Sequence, residues 1–210
     1  MKMNKKNSLL LIFSVAIVGA AIAKERPELE AADSVIRSNG LTPQYARDPA
    51  HAAIIERIRA MAKNGHRKSR TALLRIGDQE MTAACLNELR SKHWSDSPNA
   101  ARELGSSGNL RLIELLGPDL NAAEEVKPIT LVSGEEKFKI TPRSVLAMNV
   151  IRSLIANSSR FKPEVKAWAI QMERESDVDT RSAREKMRLW WYQNQPLLAA
   201  GEYEKVRPVM

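Results

Sequence analysis

Along most of the chain the apolar residues recur at three- and four-residue spacing, the period of an amphipathic helix, while alternating β-branched runs are scarce. Pro27 to Ser38 carries Leu29, Ala32, Val35 and Ile36 on one face and stops at Asn39-Gly40. Leu41 to Asp48 reads as an irregular connector. Asp48-Pro49 then opens a helix, with a side-chain acceptor at the cap and proline in the first turn. That helix presents Ala53, Ile54, Ile58 and Met61 and ends at Lys63-Asn64-Gly65.

From Ser69 to Gly117 the helices shorten and the glycines become regular punctuation. Arg70 to Ile76 carries Leu73, Leu74 and Ile76, and Gly77-Asp78 interrupts it. Asp78 is placed to cap a second helix with Met81, Ala84, Cys85 and Leu89 inward. Ser95-Asp96-Ser97-Pro98 opens the next, through Ala101 and Leu104, and Gly105-Ser106-Ser107-Gly108 stops it. Its partner, with Leu110, Leu112, Ile113 and Leu116, closes at Gly117-Pro118. Such helical hairpins cannot bury their apolar faces alone and must stack on neighbours.

Ile129-Thr130-Leu131-Val132 and Lys137-Phe138-Lys139-Ile140 flank Ser133-Gly134-Glu135-Glu136. This predicts a β-hairpin insertion near residues 129–140, or an extended loop in its place. Thr141-Pro142 opens a helix with Val145, Met148, Ile151, Leu154 and Ile155. Pro163 starts another with Val165, Trp168, Ala169 and Met172. Asp177 to Thr180 caps the last long helix, whose face carries Met187, Trp190, Trp191, Leu197 and Leu198. Pro196 is expected to kink or divide it.

The run Ala72-Leu73-Leu74-Arg75-Ile76-Gly77-Asp78, followed by Met81, Ala83-Ala84 and Leu86, resembles the inter-helix turn and second helix of a HEAT-like repeat. Arg102 to Asn109 with Leu112 to Leu116 resembles the next turn, and Pro163 to Ala169 a further second helix. The resemblance spans about half the chain, from Ser69 to about Met172. It implies binding of other proteins through a helical surface, without chemistry of its own. The fold class that follows is mostly α, with short helical hairpins stacked as a small solenoid or compact bundle. Residues 24–68 would form N-terminal capping helices, 69–176 the repeats with an insertion over 120–142, and 177–210 a C-terminal capping helix and tail.

The first 23 residues break the pattern. Lys2, Lys5 and Lys6 precede an uncharged stretch from Asn7 to Ala23, apolar from Leu9 to Val18 except for Ser14. Ala21 and Ala23 are small residues at −3 and −1 of a cleavage point before Lys24, the order of a secretory signal peptide. An apolar core of about ten residues is short for a bilayer span, which needs about 20; retention as an uncleaved anchor is the alternative. Cleavage would reduce the formal charge from +8 to +5, with 30 basic against 25 acidic residues left. An exported location, periplasmic or extracellular, argues against a nucleic-acid partner. The single cysteine, Cys85, excludes an internal disulfide, so the fold must rest on packing, and Cys85 reads as a buried thiol.

No catalytic, cofactor or metal constellation stands out. His51, His66 and His93 are dispersed, and the chain has no His-Glu-x-x-His, no Gly-x-Ser-x-Gly and no phosphate loop. The basic run Arg57, Arg59, Lys63, His66, Arg67, Lys68 and Arg70 reads as a solvated helix end, or as a weak contact for an anionic membrane surface or an acidic protein. Trp190-Trp191-Tyr192 cannot share one helical face, so one or two of them should be core anchors, with a partner-binding aromatic patch as the alternative. Asn157-Ser158-Ser159 matches a glycosylation sequon, meaningful only in a eukaryotic secretory pathway. The leading functional expectation is an exported noncatalytic module that binds an unidentified protein. A small exported hydrolase-like enzyme is the alternative, with Glu103, Glu114 and His93 as the first residues to inspect.

Overall fold

The computed structural model describes residues 27–91, 96–122, 129–133 and 136–209. They are mostly α-helical and fall into two compact units, one through Ala72 and one from Leu73. In the first, α1 covers residues 27–37 and buries Ala32 and Ile36. The predicted connector is instead a short helix, α2 (Pro43–Arg47), because Thr42 accepts the Tyr45 N–H and Pro43 fills the first turn. The same signal recurs at Asp48-Pro49, where a 3₁₀ turn leads into α3 (Ala52–Lys63). The buried stripe of α3 is Ile55, Ile58 and Ala62, about one position round from the expected one. The boundary between the units falls within α4 (Arg67–Ile76).

In the second unit Gly77 ends α4 at φ 77°, a left-handed conformation that a Cβ would penalise. The Gly77 and Asp78 N–H groups turn back to Leu74 O and Leu73 O, and Asn109 Nδ2 donates to Leu74 O at 2.9 Å. The Leu73 and Leu74 carbonyls near the end of α4 are therefore satisfied by a glycine turn and a side chain from 35 residues away. Asp78 caps α5 (Gln79–Arg90) by accepting the Met81 N–H. Then come α6 (Asp96–Ser106), α7 (Arg111–Leu116) and a 3₁₀ turn over Gly117–Asn121. Strands β1 (Ile129–Ser133) and β2 (Glu136–Ile140) pair antiparallel, with Ile129 opposite Ile140 and Leu131 opposite Phe138. The unit closes with α8 (Arg143–Asn157), α9 (Pro163–Val178) and α10 (Thr180–Ala199).

Helix α8 is the axis of this unit. From Ser144 to Ile151 it has no charged residue, and nine of its side chains are buried. It packs against α5, α6, α7, α9, α10 and the 3₁₀ turn. A solenoid repeat touches only its sequence neighbours. Here α10 also packs on α7 and the 3₁₀ turn, so of the two expected arrangements the unit is a compact bundle.

Two glycines permit close approaches. Gly105 lies inside α6 and does not stop it: a Cβ there would come within 3.3 Å of Ser153 on α8. A Cβ on Gly117 would sit inside the Trp191 indole. Trp190 and Trp191 are both buried, and Trp190 stacks on Trp168 with centroids 5.5 Å apart. Pro196 does not divide α10; it sits in the last turn, where its missing N–H costs one hydrogen bond near the helix end. The tail is tied down by Asn194, which donates to Arg207 O at 3.1 Å and accepts the Arg207 N–H at 3.1 Å.

Candidate functional site

Among the described residues, a set of potential metal ligands converges where α5 meets α6. Cys85 and Glu88 are three residues apart on α5 and so project from one face. Glu103 projects from α6, which packs against α5. Ser97 fixes that junction: its hydroxyl donates to Ser91 O at 2.7 Å, with Glu88 O also within reach at 3.1 Å. Cys85 Sγ lies 3.9 Å from Glu103 Oε2 and 3.8 Å from Met81 Sδ. One potential ligand atom from each of Cys85, Glu88 and Glu103 falls within 4.8 Å of the others. Cys85 and Glu103 are buried at 0% and 4% exposure, and Glu88 is half-buried.

A second buried carboxylate lies on the 3₁₀ turn. Arg90 reaches Asp119 with a fork, Nε to the two carboxylate oxygens at 3.2 and 3.1 Å and Nη2 to Oδ2 at 2.9 Å. Arg143 Nε sits 3.3 Å from Oδ1 on the other side; the separation is that of an ion pair, but the N–H is not aimed along it. The cluster joins α5, the 3₁₀ turn and α8 through one charge, and Arg90 also reaches Leu115 O at 3.4 Å. No motif announces this pairing, because its members are scattered over 54 positions of sequence.

The residues singled out by sequence fall in different surroundings. Ala21, Ala23 and Lys24 lie outside the described residues, as does His93. Glu103 faces Cys85, whereas Glu114 is exposed on α7 and bears on Tyr203. His51 stacks face to face on Tyr45 with centroids 3.7 Å apart, and His66 bonds Ser69 Oγ at 2.7 Å, so both serve local turns. The basic run is spread over α3 and the start of α4: Arg59 pairs with Glu56 at 2.6 Å, and Lys63, Arg67 and Lys68 are exposed. Asn157 is exposed at the end of α8 and donates to Ser153 O. Of Trp190-Trp191-Tyr192, the two indoles are core and Tyr192 is exposed, accepting a hydrogen bond from Asn121 at 2.9 Å.

Among the described residues, three titrations are shifted within this unit, that of Lys205 upward through its hydrogen bond to the Glu202 carboxylate. Burial raises the Tyr203 phenol above its usual value, against the pull of Arg160 and Arg111. Glu185 is partly desolvated, which opposes ionisation, but hydrogen bonds from Arg184 and Arg188, both 2.8 Å, prevail and lower its value.

No family model matches the chain, and neither a curated protein nor a solved structure matches it. Among the described residues, no helix is long and apolar enough to cross a membrane.

Proposed function

We propose that the chain is an exported, noncatalytic helical protein that binds another protein. The observation that carries this reading is the division of side chains on α9 and α10. Two ion pairs cross between helices here, Arg152 on α8 with Glu173 on α9 at 3.2 Å and Lys186 on α10 with Glu175 on α9 at 2.6 Å. The large apolar residues Ile170, Val178, Leu189 and Tyr192 of α9 and α10 stay exposed, Val178 at 90%. Single exposed apolar residues are ordinary; four on two adjacent helices offer contact area without any chemistry attached. Export rests on the basic start, the uncharged stretch and the Ala21-x-Ala23 step. Binding through a helical surface is also what the HEAT-like runs imply.

The test is affinity capture from the exported compartment, with mass spectrometry of what the full chain retains and a Leu189→Asp, Ile170→Asp double variant as control. A protein retained by the natural chain and lost by the variant supports the reading. Equal retention by both removes the α9–α10 surface from it. N-terminal sequencing of the native protein examines export separately: a chain beginning at Lys24 is expected, and one beginning at Met1 overturns cleavage.

The alternative, a small exported hydrolase, has the buried Cys85–Glu103 contact in its favour. It requires hydrolytic turnover that disappears in Cys85→Ala.

A further inference from the structure

We propose that Cys85, Glu88 and Glu103 form a binding site for a divalent transition-metal ion of the zinc class. The inference is independent of the protein-binding reading and concerns the junction of α5 and α6. A tetrahedral zinc ion takes sulfur at about 2.3 Å and carboxylate oxygen at about 2.0–2.2 Å, which sets ligand sulfur and oxygen about 3.6 Å apart. Cys85 Sγ and Glu103 Oε2 already stand 3.9 Å apart, and the three ligand atoms lie within 4.8 Å of one another. Small side-chain rotations close the set.

The positions are also held from two sides. Cys85 and Glu88 share a helix face, Glu103 comes from the opposing helix, and the Ser97 hydroxyl pins the α5 end to the α6 start. Such pinning preorganises a site, since the ligands need not be gathered from a flexible chain.

The donor chemistry selects the ion. Two carboxylates alone would suit a hard cation such as magnesium or calcium. A thiolate in the set, with the Met81 thioether 3.8 Å from it, shifts preference to softer transition metals. A bound dication would attract both carboxylates and the thiolate at once. With Cys85 and Glu103 buried and Glu88 half-buried, Glu88 is the side from which an ion enters. Three protein ligands leave a fourth position for water or an external ligand. Binding releases the thiol proton, so affinity rises with pH.

The chain has a single cysteine, so any thiolate-to-metal charge-transfer band reports on this site alone. The purified full chain is titrated with Co²⁺ while near-ultraviolet and visible absorption are followed. The expected result is a saturable thiolate-to-cobalt band with tetrahedral d–d bands, displaced by Zn²⁺ and unaffected by excess Mg²⁺. Cys85→Ser abolishes the charge-transfer band. Glu88→Gln, a half-buried position that leaves the core intact, keeps the far-ultraviolet helical signal and weakens Co²⁺ binding roughly tenfold or more. The proposal is overturned if the natural chain shows no thiolate band, or if Glu88→Gln binds Co²⁺ as tightly as the natural chain. Should Cys85→Ser lose its fold, the Glu88→Gln comparison decides.

Discussion

Asp119 and Glu103 are both 4% exposed, yet their surroundings differ in kind. Asp119 meets the Arg90 guanidinium fork, with a second guanidinium, Arg143, on its other side. Glu103 faces a thiol and lies near a second carboxylate. A buried carboxylate between guanidinium groups acts as a rivet: the cost of desolvation is offset by charge-assisted bonds that work in only one arrangement of the connected elements. A buried carboxylate beside a thiol and another carboxylate presents the donor types that a transition-metal ion takes. The same residue chemistry, at the same depth, thus marks a structural tie in one place and a candidate binding site in the other.

The largest expected effect tests the turn that carries Asp119. Gly117→Ala forces a methyl into the Trp191 indole, and should cost about 3 kcal/mol or more in chemical denaturation, at the upper end of overpacking. A loss below about 1 kcal/mol would mean the turn yields easily and holds Asp119 loosely. Asp119→Ala comes next, at about 2–3 kcal/mol. That is less than for a wholly buried pair, because the Arg90 and Arg143 side chains are 37% and 36% exposed and can turn to water. Glu103→Gln, in chelator, should change stability by about 1 kcal/mol or less, since it keeps the shape and removes a charge. If Glu103→Gln proved as costly as Asp119→Ala, Glu103 would be a second rivet and the contrast would collapse.

The smallest effect appears only at high pH. The Tyr203 value is raised in the fold above its reference of 10.0, so the folded chain holds that proton more tightly than the unfolded one. Its contribution is complete below the unfolded value and is lost as pH rises through the folded value. Tyr203→Phe should flatten the decline of stability above about pH 10, measured by denaturant melts across that range. An unchanged slope would show that Tyr203 does not titrate differently in the two states.

Much of the helical architecture was legible in the chain because periodicity, caps and glycine turns act locally. Asp78 at the start of α5, the buried stripe of α9 at Val165, Trp168, Ala169 and Met172, and the two core tryptophans all follow from such signals. Thr42-Pro43 was readable too, being the same cap as Asp48-Pro49, but its helix has only five residues and buries none of them. Gly105 shows the limit of punctuation: a glycine can serve a close helix crossing as well as a stop, and only its distance to Ser153 distinguishes the two. The candidate site was half legible. Cys85 and Glu88 share a face by spacing alone, whereas Glu103 joins them through the packing of α5 on α6. The Asp119 rivet left no trace in sequence, since long-range ion pairs have neither period nor motif.

The contrast between the two carboxylates is tested most directly by thermal unfolding of the natural chain, Asp119→Ala and Glu103→Gln, each in chelator and in Zn²⁺. Ligand at 100 times its dissociation constant stabilises by about 2.7 kcal/mol. The account predicts that Zn²⁺ raises the midpoint of the natural chain and of Asp119→Ala, the latter from a lower start, and leaves Glu103→Gln where it was. A Zn²⁺ shift of the same size in Glu103→Gln, or none in the natural chain, would contradict it.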